Sequence, residues 1–146
     1  MSGVAVGLAI LAGLAGSVQV AVMGRFGARI GIVEALAFAS GLQLVLATSI
    51  LLVARQGTGG FASAFRAPPW MWAGGVMGLL VVFTITFAQP RIGATATIGI
   101  MIAGQLAMGA VIDRFGLLGV DQIAISWPRA LGIVLLGAGA ALSLAR

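Results

Sequence analysis

The stretch IGATATIGIMIAGQLAMGAVI, residues 92–112, decides the fold of this chain because no residue along it is charged. An α-helix rises about 1.5 Å per residue and the hydrocarbon core of a bilayer is about 30 Å thick, so about 20 apolar residues cross it. The stretch therefore predicts a transmembrane helix. Three further uncharged stretches of similar length lie at residues 1–24, 35–54 and 67–90, and each predicts another.

A fifth uncharged stretch, residues 130–145, is shorter than the other four. Pro128 suits a first helical turn and Trp127 suits the membrane interface, so we expect the helix to begin there. The sequence thus predicts an all-α membrane protein of one domain, residues 1–146. Its five transmembrane helices are expected at about residues 3–23, 34–54, 69–89, 92–112 and 128–145, with a loop at 24–34 and a tight turn at 89–91.

The composition agrees with this fold class. Hydrophobic residues make up 61% of the chain, charged residues 8%, and the mean hydropathy is +1.19, far outside the soluble range. The N-terminal stretch lacks the basic region of a secretory signal, so we expect a retained helix. A net charge of +5 could indicate nucleic acid, but the arginines are scattered at helix ends without a basic stripe. They fit lipid headgroups better.

The basic residues are divided equally between the two faces of the membrane. With five spans, one face holds Arg55, Arg66, Arg114 and Arg129, whereas the other holds Arg25, Arg29, Arg91 and Arg146. The Lys/Arg bias of short loops normally sets orientation, and acidic residues count for little. We therefore predict insertion in both orientations; the alternative is one orientation set by features other than charge.

The residue inventory excludes much chemistry. The chain has no histidine, lysine or cysteine, and no charged residue lies in the middle of a span. Catalytic dyads, histidine or thiolate metal sites and Schiff-base lysines are thereby excluded, and we predict no enzyme activity, no cofactor and no metal. A membrane carboxylate for proton coupling is also missing. Asp113 is expected to form a helix-end ion pair with Arg114, and the alternative is that it couples transport to ions at the membrane edge.

Glutamines are the main polar groups within the predicted spans. Gln43 and Gln105 fall near the middle of the second and fourth spans, whereas Gln19 and Gln89 lie toward span ends. An unpaired amide in hydrocarbon costs several kcal/mol, so we expect these side chains to face inward. One interpretation is hydrogen bonding between helices; the other is a substrate site lined by Gln43, Gln105, Ser40, Thr84, Thr95 and Thr97, with Gln19 nearby.

Small and aromatic residues add two further predictions. Gly3 with Gly7 and Gly74 with Gly78 have the G-x-x-x-G spacing of close helix crossings, and Gly104 is a further candidate packing residue. Three tryptophans begin predicted spans and are expected to anchor the chain at the interface: Trp70, Trp72 and Trp127. The alternative for them is an aromatic cage around a quaternary ammonium group.

Several of these motifs together resemble a known family. They are Gly16-Ser-Val-Gln19, Ser40-Gly41, Trp72-Ala-Gly74-Gly75-Val-Met-Gly78, Pro90-Arg-Ile-Gly93, Gly104-Gln105-Leu106 and Ile112-Asp113-Arg114-Phe115-Gly116. The chain resembles the small YdcZ-type branch of the drug/metabolite transporter superfamily. Where that pattern has an asparagine four residues after Gln19, this chain has Met23. The resemblance implies a bacterial inner-membrane transporter and a single EamA-like five-helix repeat.

A repeat with an odd number of spans that inserts both ways can form an inverted pair with itself. We therefore predict an antiparallel homodimer in the lipid bilayer that transports a small polar, zwitterionic or amphipathic solute by alternating access. The alternative function is a non-transporting assembly or partner subunit of another membrane protein. A stable homodimer alone in detergent favours transport, and a stoichiometric foreign subunit favours the alternative.

Overall fold

A computed structural model describes residues 2–55 and 60–144, and in these residues the regular structure is entirely helical. The α-helices are α1 (Ser2–Ile30), α2 (Ile32–Arg55), α3 (Ala73–Ile92), α4 (Ala94–Phe115) and α5 (Trp127–Leu142). Short 3₁₀ helices lie at Phe61–Arg66, Pro69–Trp72 and Leu117–Gly119. The first four α-helices are long and apolar enough to cross a membrane, whereas α5 is shorter. The prediction of an all-α membrane protein is confirmed.

The predicted first loop, residues 24–34, is wrong because α1 continues to Ile30 and α2 begins at Ile32. Only Gly31 interrupts the helix, with φ at +105°. The Gly31 amide donates to the Gly27 carbonyl at 3.0 Å, and the Ala35 amide donates to the Gly31 carbonyl at 3.0 Å. Hydrogen bonds of helical spacing therefore continue on both sides of the break at this single glycine.

The predicted turn at Gln89–Arg91 is also wrong, since these residues belong to α3 and the interruption comes at Gly93. Pro90 lacks an amide hydrogen and removes one helical hydrogen bond, but it does not end the helix. Gly93 has φ +83° and ψ 163°, a conformation that is essentially restricted to glycine. The backbone requirement at Gly93, rather than the proline, separates α3 from α4.

Two other helix boundaries differ from prediction. Residues 69–72 form a 3₁₀ helix before α3, with Pro69 in its first turn, so α3 itself begins at Ala73. Helix α5 begins at Trp127 and ends at Leu142, short of the predicted end at Ala145, which lies outside the described residues.

Contacts divide the chain into two units, residues 22–87 and residues 1–21 with 88–146. In residues 22–87, α1 and α3 approach closely where a Cβ at Gly27 would overlap the methyl group of Thr86, a fully buried residue. The rings of Phe26 and Phe38 meet edge to face, with centroids 5.6 Å apart, beside the Gly31 break. Close packing in this unit is thus concentrated near the break.

The other unit comprises residues 1–21 and 88–146. Here α4 packs on α5, where a Cβ at Gly99 would lie 3.4 Å from the backbone of Ala140. Ala96, Ala110 and Ala140 are buried. Because small residues let helix backbones approach, this pair of helices forms the packed part of the unit.

Candidate functional site

The two central glutamines occupy matching positions on their helices. The separation in sequence from Gly31 to Gln43 on α2 equals the separation from Gly93 to Gln105 on α4. At about 1.5 Å per residue, each amide is about 18 Å along its helix from the preceding glycine. Both side chains are exposed on the single chain, and they belong to different contact units.

The hydroxyl groups predicted to line a site are partly engaged by the backbone. Thr84 donates from Oγ1 to the Leu80 carbonyl at 2.8 Å, and Thr97 donates to the Gly93 carbonyl at 2.7 Å. Thr97 is buried, so its hydroxyl supports the glycine break. Ser40 and Thr84 are half-buried and Thr95 is exposed, so these three are the hydroxyls that a solute could reach. A threonine whose proton is donated to its own helix still offers oxygen lone pairs.

Gln19 and Gln89 are both half-buried, in contrast to the two central glutamines. The backbone carbonyl of Gln89 accepts the amide of Gly93 at 2.9 Å and so belongs to the second break. The structure therefore separates an exposed pair of amides from a partly covered pair.

The predicted packing glycines have open surroundings within the described chain. A Cβ at any of five positions would meet no other group within 4 Å: Gly3, Gly7, Gly74, Gly78 and Gly104. Close approach occurs instead at Gly27 and Gly99. Packing at the five open glycines remains a prediction.

The tryptophans lie at the helix starts where the sequence places them. Trp70 and Trp72 belong to the 3₁₀ helix before α3, Trp127 is the first residue of α5, and all three are exposed. The Trp72 indole donates to the Ala64 carbonyl at 3.1 Å, and its ring meets Phe65 edge to face. This indole therefore stabilises the connection before α3, while the exposed rings remain available to an interface.

The acidic residue at the end of α4 pairs differently from the prediction. Asp113 forms its ion pair with Arg129 in the first turn of α5, not with the adjacent Arg114. The Asp113 carbonyl also accepts the Ile123 amide at 2.8 Å, and Gln122 donates to the Arg114 carbonyl at 2.8 Å. Neighbours in sequence diverge around a helix, whereas the returning connection brings Arg129 to Asp113. These contacts hold the α4–α5 connection against the end of α4.

Two residues important to the architecture were missed by the reasoning from sequence. Gly31 and Gly93 were assigned to a loop and to a span, respectively, yet they are the helix breaks. The signal that could have found them is the tripeptide Arg-Ile-Gly, which occurs at residues 29–31 and again at residues 91–93. Glu34 lies in the first turn of α2, where a negative charge suits the helix dipole.

Comparison with known proteins provides a family. Residues 4–142 match the family described as "Putative inner membrane exporter, YdcZ". The inner membrane protein YdcZ of Escherichia coli (strain K12) is 34% identical over 99 residues, an alignment that covers 66% of this chain and 64% of that protein. The chain thus aligns with less than two thirds of the relative's length. No solved structure matches. The family match includes both glycine breaks and both central glutamines.

Proposed function

The chain belongs to the YdcZ family, and on this premise we propose that it transports a small solute by alternating access as an inverted homodimer. Its four long apolar helices and its inner-membrane relative identify it as an integral protein of the inner membrane. The family description is that of an exporter, and it supports membrane transport rather than an enzyme activity. Membership of the wider drug/metabolite transporter superfamily is part of the proposal.

The exposure of Gln43 and Gln105 is the observation that carries the proposal. Both amides lie about 18 Å along transmembrane helices, at a depth where no water is available. An amide without a partner in hydrocarbon costs several kcal/mol. A second copy of the chain and a bound solute are the partners that would satisfy both amides.

The depth of the glutamines fits an inverted pair. If Arg29 and Arg91 hold the two breaks at one headgroup region, each amide lies about 3 Å beyond the midplane of a core about 30 Å thick. In a second copy of opposite orientation, the same amides lie about 3 Å beyond the midplane on the other side. The four amides then fall within about 6 Å of each other in depth, so they can line one central site.

The short helix α5 supplies the fifth span, on which the four-and-four division of the arginines depends. Its 16 residues give a length of about 24 Å. The connection before it, residues 120–126, is not helical, and residues 143–144 continue as a turn. Extended backbone advances about 3.3 Å per residue, so a short part of this connection supplies the remaining length. We therefore retain α5 as the fifth span.

The polar groups of the proposed site indicate which class of solute it would bind. Glutamine amides offer both donors and acceptors, and the Thr84 oxygen offers an acceptor because its proton is donated to Leu80. No carboxylate lies in the middle of a span to pair with a bare cation. A small neutral or zwitterionic solute with its own donors and acceptors fits these groups best.

A thermal-shift screen of the purified protein over small metabolites tests the proposal, because a ligand that binds the folded state raises its stability. We expect a neutral or zwitterionic metabolite to raise the melting temperature of the native chain but not of the Gln43→Leu/Gln105→Leu variant. The matched control is Gln89→Leu, which removes a half-buried amide from the end of α3 and should retain the shift. A shift that persists in the double variant would refute the site, and purification with a stoichiometric foreign subunit would favour the assembly role.

A further inference from the structure

The first four helices contain the same sequence pattern twice. Residues 13–50 and residues 75–112, which we call the first and second repeat, align without a gap at a spacing of 62 positions. The residues that recur are Gly13, Gly16, Val20, Arg29, Ile30, Gly31, Gln43, Leu44 and Ile50, matched by Gly75, Gly78, Val82, Arg91, Ile92, Gly93, Gln105, Leu106 and Ile112. The pattern thus includes an uncommon arginine and an uncommon glutamine at fixed distances from a glycine.

The helix breaks obey the same spacing. Helix α1 ends at Ile30 and α3 ends at Ile92, while α2 begins at Ile32 and α4 begins at Ala94. In each repeat the glycine at the break has a positive φ, +105° at residue 31 and +83° at residue 93. In each, its amide donates to the carbonyl four residues earlier, and its carbonyl accepts from the amide four residues later.

Burial is also shared at equivalent positions next to the breaks. Met23 and Ile85 are each 5% exposed, and they occupy equivalent positions on α1 and α3. Ala35 and Thr97, four residues after their glycines, are 0% and 2% exposed. Backbone geometry and side-chain burial are observations independent of the sequence match. The two repeats are therefore two copies of one helix–glycine–helix structure.

We propose that Gly31 and Gly93 are equivalent pivots, and that each positions one amide of the solute site by setting the angle between its two helices. The inference rests on the proposed function, because it gives Gln43 and Gln105 one shared role. A single residue joins the helices in each repeat, and it has a positive φ that side chains disfavour. Rotation about its φ and ψ moves α2 or α4 as a rigid rod.

The helix segment between each glycine and its glutamine is long enough that a small rotation at the glycine moves the amide by several ångströms. A rotation of about 20° at the glycine moves an amide about 18 Å away by about 6 Å. The displacement is perpendicular to the helix axis, so the amide moves within the plane of the membrane and its depth changes by only about 1 Å. The arms from glycine to glutamine are equally long in the two repeats, so equal rotations give equal displacements. The matched spacing therefore moves both amides sideways by the same distance, toward or away from the solute.

Spin labels on either side of each glycine test the pivots, and the chain has no cysteine to interfere. One labelled protein carries Val18→Cys and Leu46→Cys, and the other carries the equivalent Leu80→Cys and Met108→Cys. All four positions are exposed. Distances are measured by double electron–electron resonance in nanodiscs without added solute, with excess unlabelled chain to suppress distances between protomers.

We expect two distance populations in each protein, separated by about 8 Å for a rotation of about 20° on an arm of about 15 residues. Gly31→Ala should deplete both native populations at least about fivefold in the first pair, and Gly93→Ala should do so in the second, because a rotation of about 20° leaves φ positive and a side chain disfavours that region. The controls Gly13→Ala and Gly75→Ala lie in open surroundings and should leave both distributions unchanged.

One narrow distance in either pair, or an equal effect of the control variants, would overturn the pivots. If each labelled pair gives one narrow distance but the solute-induced thermal shift still requires Gln43 and Gln105, the pivots are wrong and the proposed site stands. If each labelled pair gives two distance populations but the solute-induced thermal shift survives the loss of both glutamines, the proposed site is wrong and the pivots stand.

Discussion

Replacing Gly93 with alanine measures directly how strongly the second break depends on glycine. The residue has φ +83° and ψ 163°, and a Cβ there would meet no other group within 4 Å. A steric clash with a neighbour is thus absent, and only the backbone conformation opposes the side chain. Conformations of this type cost about 1–3 kcal/mol in a residue other than glycine.

We therefore expect Gly93→Ala to lower the free energy of unfolding by about 1–3 kcal/mol, which changes the unfolding equilibrium about 5- to 150-fold. The assay is titration of the purified protein in mild detergent with SDS, followed by fluorescence of its three tryptophans. The matched control is Gly109→Ala on α4, also in open surroundings, which should stabilise the helix by about 0.5–1 kcal/mol. If Gly93→Ala is as stable as the native chain while the control behaves as expected, the break does not require glycine.

Two further predictions concern contacts between helices. Gly27→Ala should lower the free energy of unfolding by about 1–3 kcal/mol, because the new methyl group overlaps that of Thr86, and Thr86→Ser should rescue it by removing the obstructing methyl group. If Thr86→Ser does not rescue Gly27→Ala in the same SDS titration, the destabilisation does not come from overlap between the two methyl groups. Asp113→Asn should cost about 0.2–1 kcal/mol, since the ion pair with Arg129 is partly exposed, and should cost nothing further when combined with Arg129→Gln. Additive losses in that double-mutant cycle would contradict the pairing.

The helices could be predicted from the sequence because length without charge is a direct requirement of the bilayer. Residues 92–112 and 35–54 correspond to α4 and α2, with ends only a few residues apart. The interruptions were harder to predict, because glycine and proline are poor guides within transmembrane helices. Gly24 and Pro90 remain helical, whereas Gly31 and Gly93 do not. The helix breaks where the glycine backbone has a positive φ, and residue type alone does not determine at which glycine that occurs.

The candidate site could be predicted in part. The glutamines were identifiable because a polar amide is rare in an uncharged stretch, and their equal distance from the two breaks supports their common role. The buried state of Thr97 and its bond to Gly93 depend on the break and were not evident without it. The pairing of Asp113 with Arg129 joins residues 16 positions apart, so it depends on how the α4–α5 connection folds back. Long-range contacts of this kind are not encoded in local spacing.

The orientation of the native chain in the membrane tests the inverted homodimer most directly. Reporters fused after Arg146, one active only in the cytoplasm and one only outside it, should both be active, because the arginines are divided four and four. Ala28→Lys with Ile30→Lys should leave only the cytoplasmic reporter active, and the matched Ala62→Lys with Ser63→Lys should leave only the external one. Activity of a single reporter in the native chain would contradict the inverted pair.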